Sequence, residues 1–277
     1  MALFLIIRIA CESVIARSAS DKAIQSCTEL DRLATAWLAM TNQLNPELLL
    51  AAYAQGYFPM AESRHGDDIR WYDPEQRGVI PLENFHVPRS LEKFLKKAPF
   101  HYSMNKAFST VMRACAQRDS TWINDEIIDI YCQLHEMGYA HSVEVWTRHS
   151  LPLVSRPKDR GIQNSKSSEE LLRFKQSTDC LKLDPRDKMP TDILREDDDV
   201  LIGGLYGVSL GRAFFGESMF SRTSNASKAA LVFLVQQLRV NGYTLLDAQY
   251  VNDHLKQFGI VEITKEAYLA RLKEALA

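Results

Sequence analysis

Residues 201 to 220, LIGGLYGVSLGRAFFGESMF, are two apolar runs joined by a glycine-containing turn, and they read as a β-hairpin. The chain beyond this hairpin makes the fold a mixed one. A helix is expected over Ala226 to Val240 and closes at Asn241-Gly242; a strand in YTLLDAQYV and a last helix over Lys265 to Leu276 come after it. Upstream, LNPELLLAAYAQGYFPM reads as a short helix with Asn45 as cap, Pro46 at its first position and Gly56 as its stop. Brief strands are expected in 66 to 86. Helices are expected in VPRSLEKFLKKA, in HYSMNKAFSTVMRACAQRDSTW and in INDEIIDIYCQLHEMG, and a strand in AHSVEVWT. Helices that precede a run of adjacent strands make α+β the fold class.

Two stretches stand apart. Residues 155 to 198 are close to half charged, carry three prolines and lack a sustained apolar period, so they look like a solvated loop or a disordered insert. Stretching a connection of about three residues to about fifty costs roughly 2.4 kcal/mol of closure entropy, which a folded domain tolerates. The opening MALFLIIRIACESVIARS has an apolar run of about six residues before Arg8, too short to span a bilayer. It also lacks the basic n-region and cleavage site of a signal peptide. The five cysteines are odd in number and none forms C-x-x-C, which fits a reducing cytoplasm; Cys115 and Cys132 are expected as small buried apolar residues. A net charge of −2 excludes a global basic field, so any nucleic-acid contact must come from a local patch.

Several motifs invite chemistry and most decline it. HEMGYAH places its second histidine six residues after the first, beyond a helix-stopping glycine, so it is not H-E-x-x-H; His141 is expected as a strand-start residue with a structural hydrogen bond. Gly203, Gly204, Gly207 and Gly211 lie in the hairpin and match no phosphate-binding motif; close strand crossing and turns account for them. GESMF is not G-x-S-x-G, which weakens Ser218 as a nucleophile. On a regular strand Glu217 and Met219 share one face, with Ser218 and Phe220 on the other. Glu217 then either faces solvent or stands in an apolar pocket, able to recognise an ammonium group. Asp247 and Gln249 leave one face of the strand at i and i+2: a polar strand end, or a functional pair. Arg89, Lys93, Lys96 and Lys97 fall on one helical face, offset locally by Glu92. That is either a solvated face or, with Trp71, Tyr72 and Trp122 to stack on bases, a site for a single-stranded RNA end.

In order along the chain, GYFPM, WYDPEQRGVIP, PRSLEKFLKK, MNKAF, TWI, HEMGYAHSVEVW, GGLYGV, FFGESMFSRTSNASKAAL and LDAQYVNDHL resemble the leucyl/phenylalanyl-tRNA–protein transferase family. The resemblance runs from about Leu44 to the C-terminus and omits 155 to 198. It implies a bacterial cytoplasmic enzyme, without metal or cofactor, that takes Leu or Phe (Met less well) from aminoacyl-tRNA. The acceptor is the α-amine of proteins beginning with Arg or Lys, which are thereby marked for degradation by the N-end rule. A monomer without membrane association is implied. So is a small N-terminal α/β domain over 41–100, followed by an N-acetyltransferase-like catalytic domain over 101–277 that carries the insert. Residues 1–40 form an extension without family likeness, with Met40 a candidate start.

Residue by residue, the resemblance implies that Glu217 anchors an amino group while Asp247 and Gln249 orient and activate the attacking amine. It implies that Leu205, Met219, Leu234 and Leu238 line the aminoacyl side-chain pocket. Trp122, with Trp71, would border the terminal adenosine, and Arg89, Lys93, Lys96 and Lys97 would hold acceptor-end phosphates. Met60 stands where some relatives have Trp, which leaves stacking there open; Leu234 and Leu238 are smaller than the Phe of some relatives, which leaves the Leu/Phe preference open. The rival readings are an inactive relative that only binds tRNA ends and another aminoacyl-tRNA-dependent peptidyl transferase.

Overall fold

The computed structural model describes residues 44–66, 68–148 and 199–277; the N-terminal extension, the insert at 155–198 and Cys11, Cys27 and Cys180 lie outside the described residues. Helix α1 (Pro46–Ala54) starts where the sequence places it, with the Leu48 amide donating to Asn45 Oδ1 at 2.8 Å. Gly56 ends it at φ 86°, a conformation that costs glycine little. Strands β1 (Phe58–Ala61) and β2 (Ile69–Tyr72) then form a separate antiparallel ribbon.

The remaining strands make one seven-stranded sheet: β3 (Gln76–Val79), β4 (Phe100–Met104), β5 (Ala140–Arg148), β6 (Asp199–Leu210), β7 (Ala213–Ser221), β8 (Leu245–Gln249) and β9 (Val261–Thr264). Their order across it is β4-β5-β6-β7-β8-β3-β9, and only β7 and β8 run parallel. β3 comes from before residue 100 and is seated between the last two strands, so the sheet spans the boundary at which the sequence suggests a second domain. Arg148 faces Asp199 at the end of the β5–β6 ladder.

Helix α5 (Ala226–Val240), bounded as expected, covers one face. Its Ala230, Leu231, Leu234, Val235 and Leu238 pack on Val143, Val145, Ile202, Leu205, Phe214 and Leu246. Each such large aliphatic side chain contributes about 1.5–3 kcal/mol by leaving water. Helices α3 (Phe108–Ala116) and α4 (Asp125–Glu136) cover the opposite face, where Phe108 and Tyr131 meet Tyr206 edge-on. Cys115 and Cys132 are buried in these two helices. The C-terminal helix α7 (Lys265–Leu276) also matches its expected bounds.

One expectation fails locally. HYSM does not begin a helix; it is part of strand β4, paired with β5 from Phe100↔Thr147 to Met104↔Val143. Tertiary contacts decide this short segment: Tyr102 stacks on Phe233 of α5 at 4.9 Å, and Ser103 bonds both Glu144 (2.5 Å) and the Trp146 indole (2.8 Å). The basic helix α2 is shorter than its motif, ending at Leu95 (Arg89–Leu95), with Lys96 as its C-cap. The four-residue helix α6 (Asp253–Lys256) and β9 carry too little pattern to be read in advance.

Candidate active site

The β7/β8 pair holds together for three register positions, Ala213↔Leu245 to Phe215↔Asp247, and no ladder joins the two strands beyond that. A cavity of about 610 Å³ occupies the place where they part, lined from both strands and from the helices on both faces. Small-molecule sites are typically of this size. Its apolar wall is Ile80, Leu205, Met219, Leu231, Leu234, Leu246 and Leu255, while Glu217, Asp247 and Tyr206 supply polar groups.

Glu217 reaches this cavity through an irregularity. Across β6 and β7, Tyr206 faces Ser218 and Gly207 faces Gly216, which leaves Glu217 without an opposite residue: a β-bulge. The bulge breaks the alternation expected of a regular strand and thereby corrects it. Met219 packs toward α5, but Glu217 bonds on the other side, where its Oε1 accepts from the Tyr53 hydroxyl at 2.6 Å and from Gln249 Nε2 at 3.1 Å. Tyr53 in turn bonds Tyr131 through a close hydroxyl–hydroxyl contact. Gly207 makes room for the distortion, since a Cβ there would run into the Phe215 carbonyl oxygen. Glu217 Oε2 is buried and has no hydrogen-bond partner. Burial pushes its carboxyl up to about 7, against the pull of the Tyr53 and Gln249 hydrogen bonds; the charge of Asp247 adds to the rise and that of Arg77 opposes it. Burial first, and then the Glu217 charge, raise the Tyr53 and Tyr131 phenols well above their ordinary range, so both stay protonated donors.

Asp247 is fully buried and fully engaged. It accepts from Arg77 Nε at 3.0 and 3.1 Å, Arg77 Nη2 at 2.6 Å, the Tyr268 hydroxyl at 2.8 Å and the Gln249 amide at 2.8 Å. Arg77, 1% exposed, lies between the Phe58 and Tyr268 rings and also donates to Gly56 O at 2.9 Å. Burial alone would lower its pKa, but the Asp247 carboxylate more than reverses that. Gln249 sits at φ 61°, a left-handed conformation uncommon for a side chain of its size. The bond from its amide to Asp247 Oδ1 holds it there. Its side chain consequently turns to Glu217, so Asp247, Gln249 and Glu217 form one connected unit.

Of the other expected residues, Leu205, Met219 and Leu234 line the cavity, whereas Leu238 lies in the adjoining core and is absent from the lining. Trp71 lies in the β1–β2 ribbon opposite Pro59, Trp122 adjoins it through its carbonyl, which accepts from the Ala61 amide at 3.1 Å, and neither lines the cavity. Arg89, Lys93, Lys96 and Lys97 are exposed on and just after α2, with Lys96 held to Glu92 at 2.7 Å. Ser218 Oγ meets Arg118 at 3.2 Å, a permanent cation unable to take a proton from it. His141 Nδ1 meets the Asn105 side-chain amide at 3.0 Å, a structural bond. Among the described residues no group of three His, Cys, Asp or Glu side chains is placed to hold a metal ion. No described helix is long and apolar enough to cross a membrane. Sequence reasoning misses Tyr53, Arg77, Tyr131 and Tyr268, none of which is marked by spacing; Arg77 lies inside WYDPEQRGVIP, a motif that carries the resemblance without giving it a role.

Comparison with known proteins bears on this geometry. Residues 79–153 and 194–273 match the family described as leucyl/phenylalanyl-tRNA protein transferase, and 42–75 match that family's N-terminal domain. A leucyl/phenylalanyl-tRNA–protein transferase of Paramagnetospirillum magneticum is 44% identical over 84% of this chain and 90% of its own. One from Zymomonas mobilis is 41% identical (86% and 72%), and one from Dinoroseobacter shibae 42% (85% and 83%). Among solved structures, a crystal structure of FemX aligns at a TM-score of 0.40 and 14% identity, covering 81% of this chain and 64% of that one.

Proposed function

This chain belongs to the leucyl/phenylalanyl-tRNA protein transferase family, and from that premise we propose that the cavity between β7 and β8 is where aminoacyl transfer takes place. The protein is an aminoacyltransferase, moving Leu or Phe from aminoacyl-tRNA to the N-terminus of a protein. The observation that carries the assignment is that Glu217 and Asp247, which both line the cavity, are joined through Gln249.

In this reading the donor's Leu or Phe side chain enters between Leu205, Met219 and Leu234, and Met219 adapts to branched or aromatic shapes. Glu217 holds the donor's α-ammonium group. The acceptor α-amine attacks the ester carbonyl; the new N–C bond forms, the C–O bond to the ribose breaks, and a proton passes from nitrogen to the departing ribose oxygen. An ester is already activated toward an amine, so positioning and modest proton handling suffice. Gln249 spends its amide NH₂ on Glu217, which leaves its carbonyl oxygen to accept from the attacking amine. Asp247 acts through Gln249, fixing its backbone, and through Arg77.

The acceptor begins with Arg or Lys, the product is an N-end-rule degradation signal, and the enzyme works as a cytoplasmic monomer. The exposed cations of α2 hold acceptor-end phosphates, and Trp71 and Trp122 flank the terminal adenosine. The sheet is N-acetyltransferase-like, a reading supported by a parallel pair that parts around the cavity. The test is to incubate the purified protein with labelled Leu-tRNA or Phe-tRNA and peptides beginning with Arg, Lys or Ala. Label entering only the Arg and Lys peptides is expected. A folded protein that binds the tRNA and transfers nothing would be the inactive binder instead.

A further inference from the structure

We propose that Tyr206 completes the ammonium subsite that Glu217 begins: its hydroxyl and Glu217 Oε2 together bind the donor's α-ammonium and select donors that carry one. Two observations carry this. Tyr206 is fully buried, lines the cavity, and its hydroxyl has no hydrogen-bond partner. Glu217 Oε2, on the same side of the sheet and in the same cavity, is buried and equally unpartnered. Buried polar atoms are nearly always paired, and leaving one unpaired destabilises the free protein. His254 Nε2, in the same lining, is also unpartnered, but of these atoms only Tyr206 Oη and Glu217 Oε2 come from the β6–β7 hairpin; two such oxygens lining one cavity mark where a ligand supplies the missing bonds.

The chemistry of the pair defines that ligand. A carboxylate oxygen only accepts, and a phenol oxygen can accept a second bond alongside it. A group with several donors and a positive charge can bond both oxygens at once, which describes a primary ammonium. The attacking amine must be neutral to act as a nucleophile, so a site that favours the charged form suits the donor's amino group and not the acceptor's. The tyrosine is rigidly aimed, with Tyr131 edge-on at 5.7 Å and Phe108 at 6.1 Å. Burial chiefly, with Tyr131 and the Glu217 charge, holds the phenol protonated.

This inference rests on the proposed transfer reaction and is tested with Tyr206→Phe, which removes one oxygen and keeps the ring. On Phe-tRNA, kcat/KM should fall about ten- to a hundredfold, the range for a lost hydrogen bond to a charged group. On tRNA charged with 3-phenylpropionate, which lacks the amino group, variant and wild type should perform alike. The Tm of the ligand-free variant should stay level or rise, because an unpaired buried hydroxyl is gone. An equal loss on both donors, no loss on Phe-tRNA, or a fall in the ligand-free Tm beyond a few degrees would each overturn the role of Tyr206. A wild type inactive on Phe-tRNA would sink the transfer reading itself, and this inference with it.

Discussion

Replacing Asp247 by Asn should cost the fold as visibly as it costs the chemistry. The substitution keeps the shape and removes the charge that balances Arg77, a guanidinium only 1% exposed. Arg77 would keep its bonds to Gly56 O and the Tyr268 hydroxyl, neither of which carries a charge. A buried charge stripped of its partner costs about 3–5 kcal/mol. For a folded unit of this size, about 2–4 °C of Tm accompanies each kcal/mol, so a loss of roughly 10 °C is expected. Urea unfolding of Asp247→Asn, Asp247→Leu, Arg77→Met and the double variant Arg77→Met/Asp247→Leu forms the assay, the last three making the cycle. The double variant should recover most of the stability, since apolar replacement of a buried pair is often neutral or better. It should recover no transfer activity, because Gln249 has lost the acceptor for its backbone amide. A single-variant loss below about 1 kcal/mol, or a double variant as unstable as the sum of the singles, would refute a buried, strongly coupled pair.

The raised Glu217 carboxyl predicts a particular pH dependence. Its folded value of about 7 lies above the ordinary 4.5, so its contribution to stability is full below pH 4.5 and is lost as pH rises through 7. The whole change is roughly 3 kcal/mol; Glu217→Gln should flatten that limb in Tm measured between mildly acidic and mildly alkaline pH and be the more stable protein at the alkaline end. Equal pH slopes for the two proteins would contradict the burial argument. Leu234→Phe should shrink the side-chain end of the cavity and lower the Phe-tRNA over Leu-tRNA ratio of kcat/KM about tenfold, a discrimination of the size that pocket volume gives. Changing Lys93 and Lys97 together to Ala should weaken tRNA binding and lower the slope of log K against log salt by about 0.7–0.9 for each phosphate no longer neutralised. An unchanged slope would place the acceptor stem elsewhere.

The sequence locates the long regular elements closely, because α5 stops at Asn241-Gly242 and the β6–β7 hairpin turns at a glycine. It also singles out Glu217, Asp247 and Gln249. It fails where contact, not pattern, decides. Strand β4 is fixed by Phe233, Glu144 and Trp146, all distant in sequence. Reading Glu217 and Met219 on one face assumes an unbroken pleat, and the bulge removes that premise. The only local trace of it is Gly207, a glycine that close strand crossing explains equally well. Arg77, Tyr53, Tyr131 and Tyr268 are brought to the site by folding across most of the chain, and single residues of common type leave no spacing to detect.

The placement of β3 between β8 and β9 has a consequence for how the protein is made. Arg77 and Asp247 are separated by 170 positions, so Arg77 leaves the ribosome well before its counter-charge exists. At about 5–20 residues per second, that interval is on the order of 10–30 s. During it β3 has neither flanking strand and Arg77 keeps water on the side that Asp247 and Tyr268 later cover. Closing β3 between its late-made partners is therefore the step that drives water from Arg77 and sets Gln249 against Glu217. A nascent chain can carry nearly every residue of the site and still be inert: competence arrives with the C-terminal strands and helix, all at once.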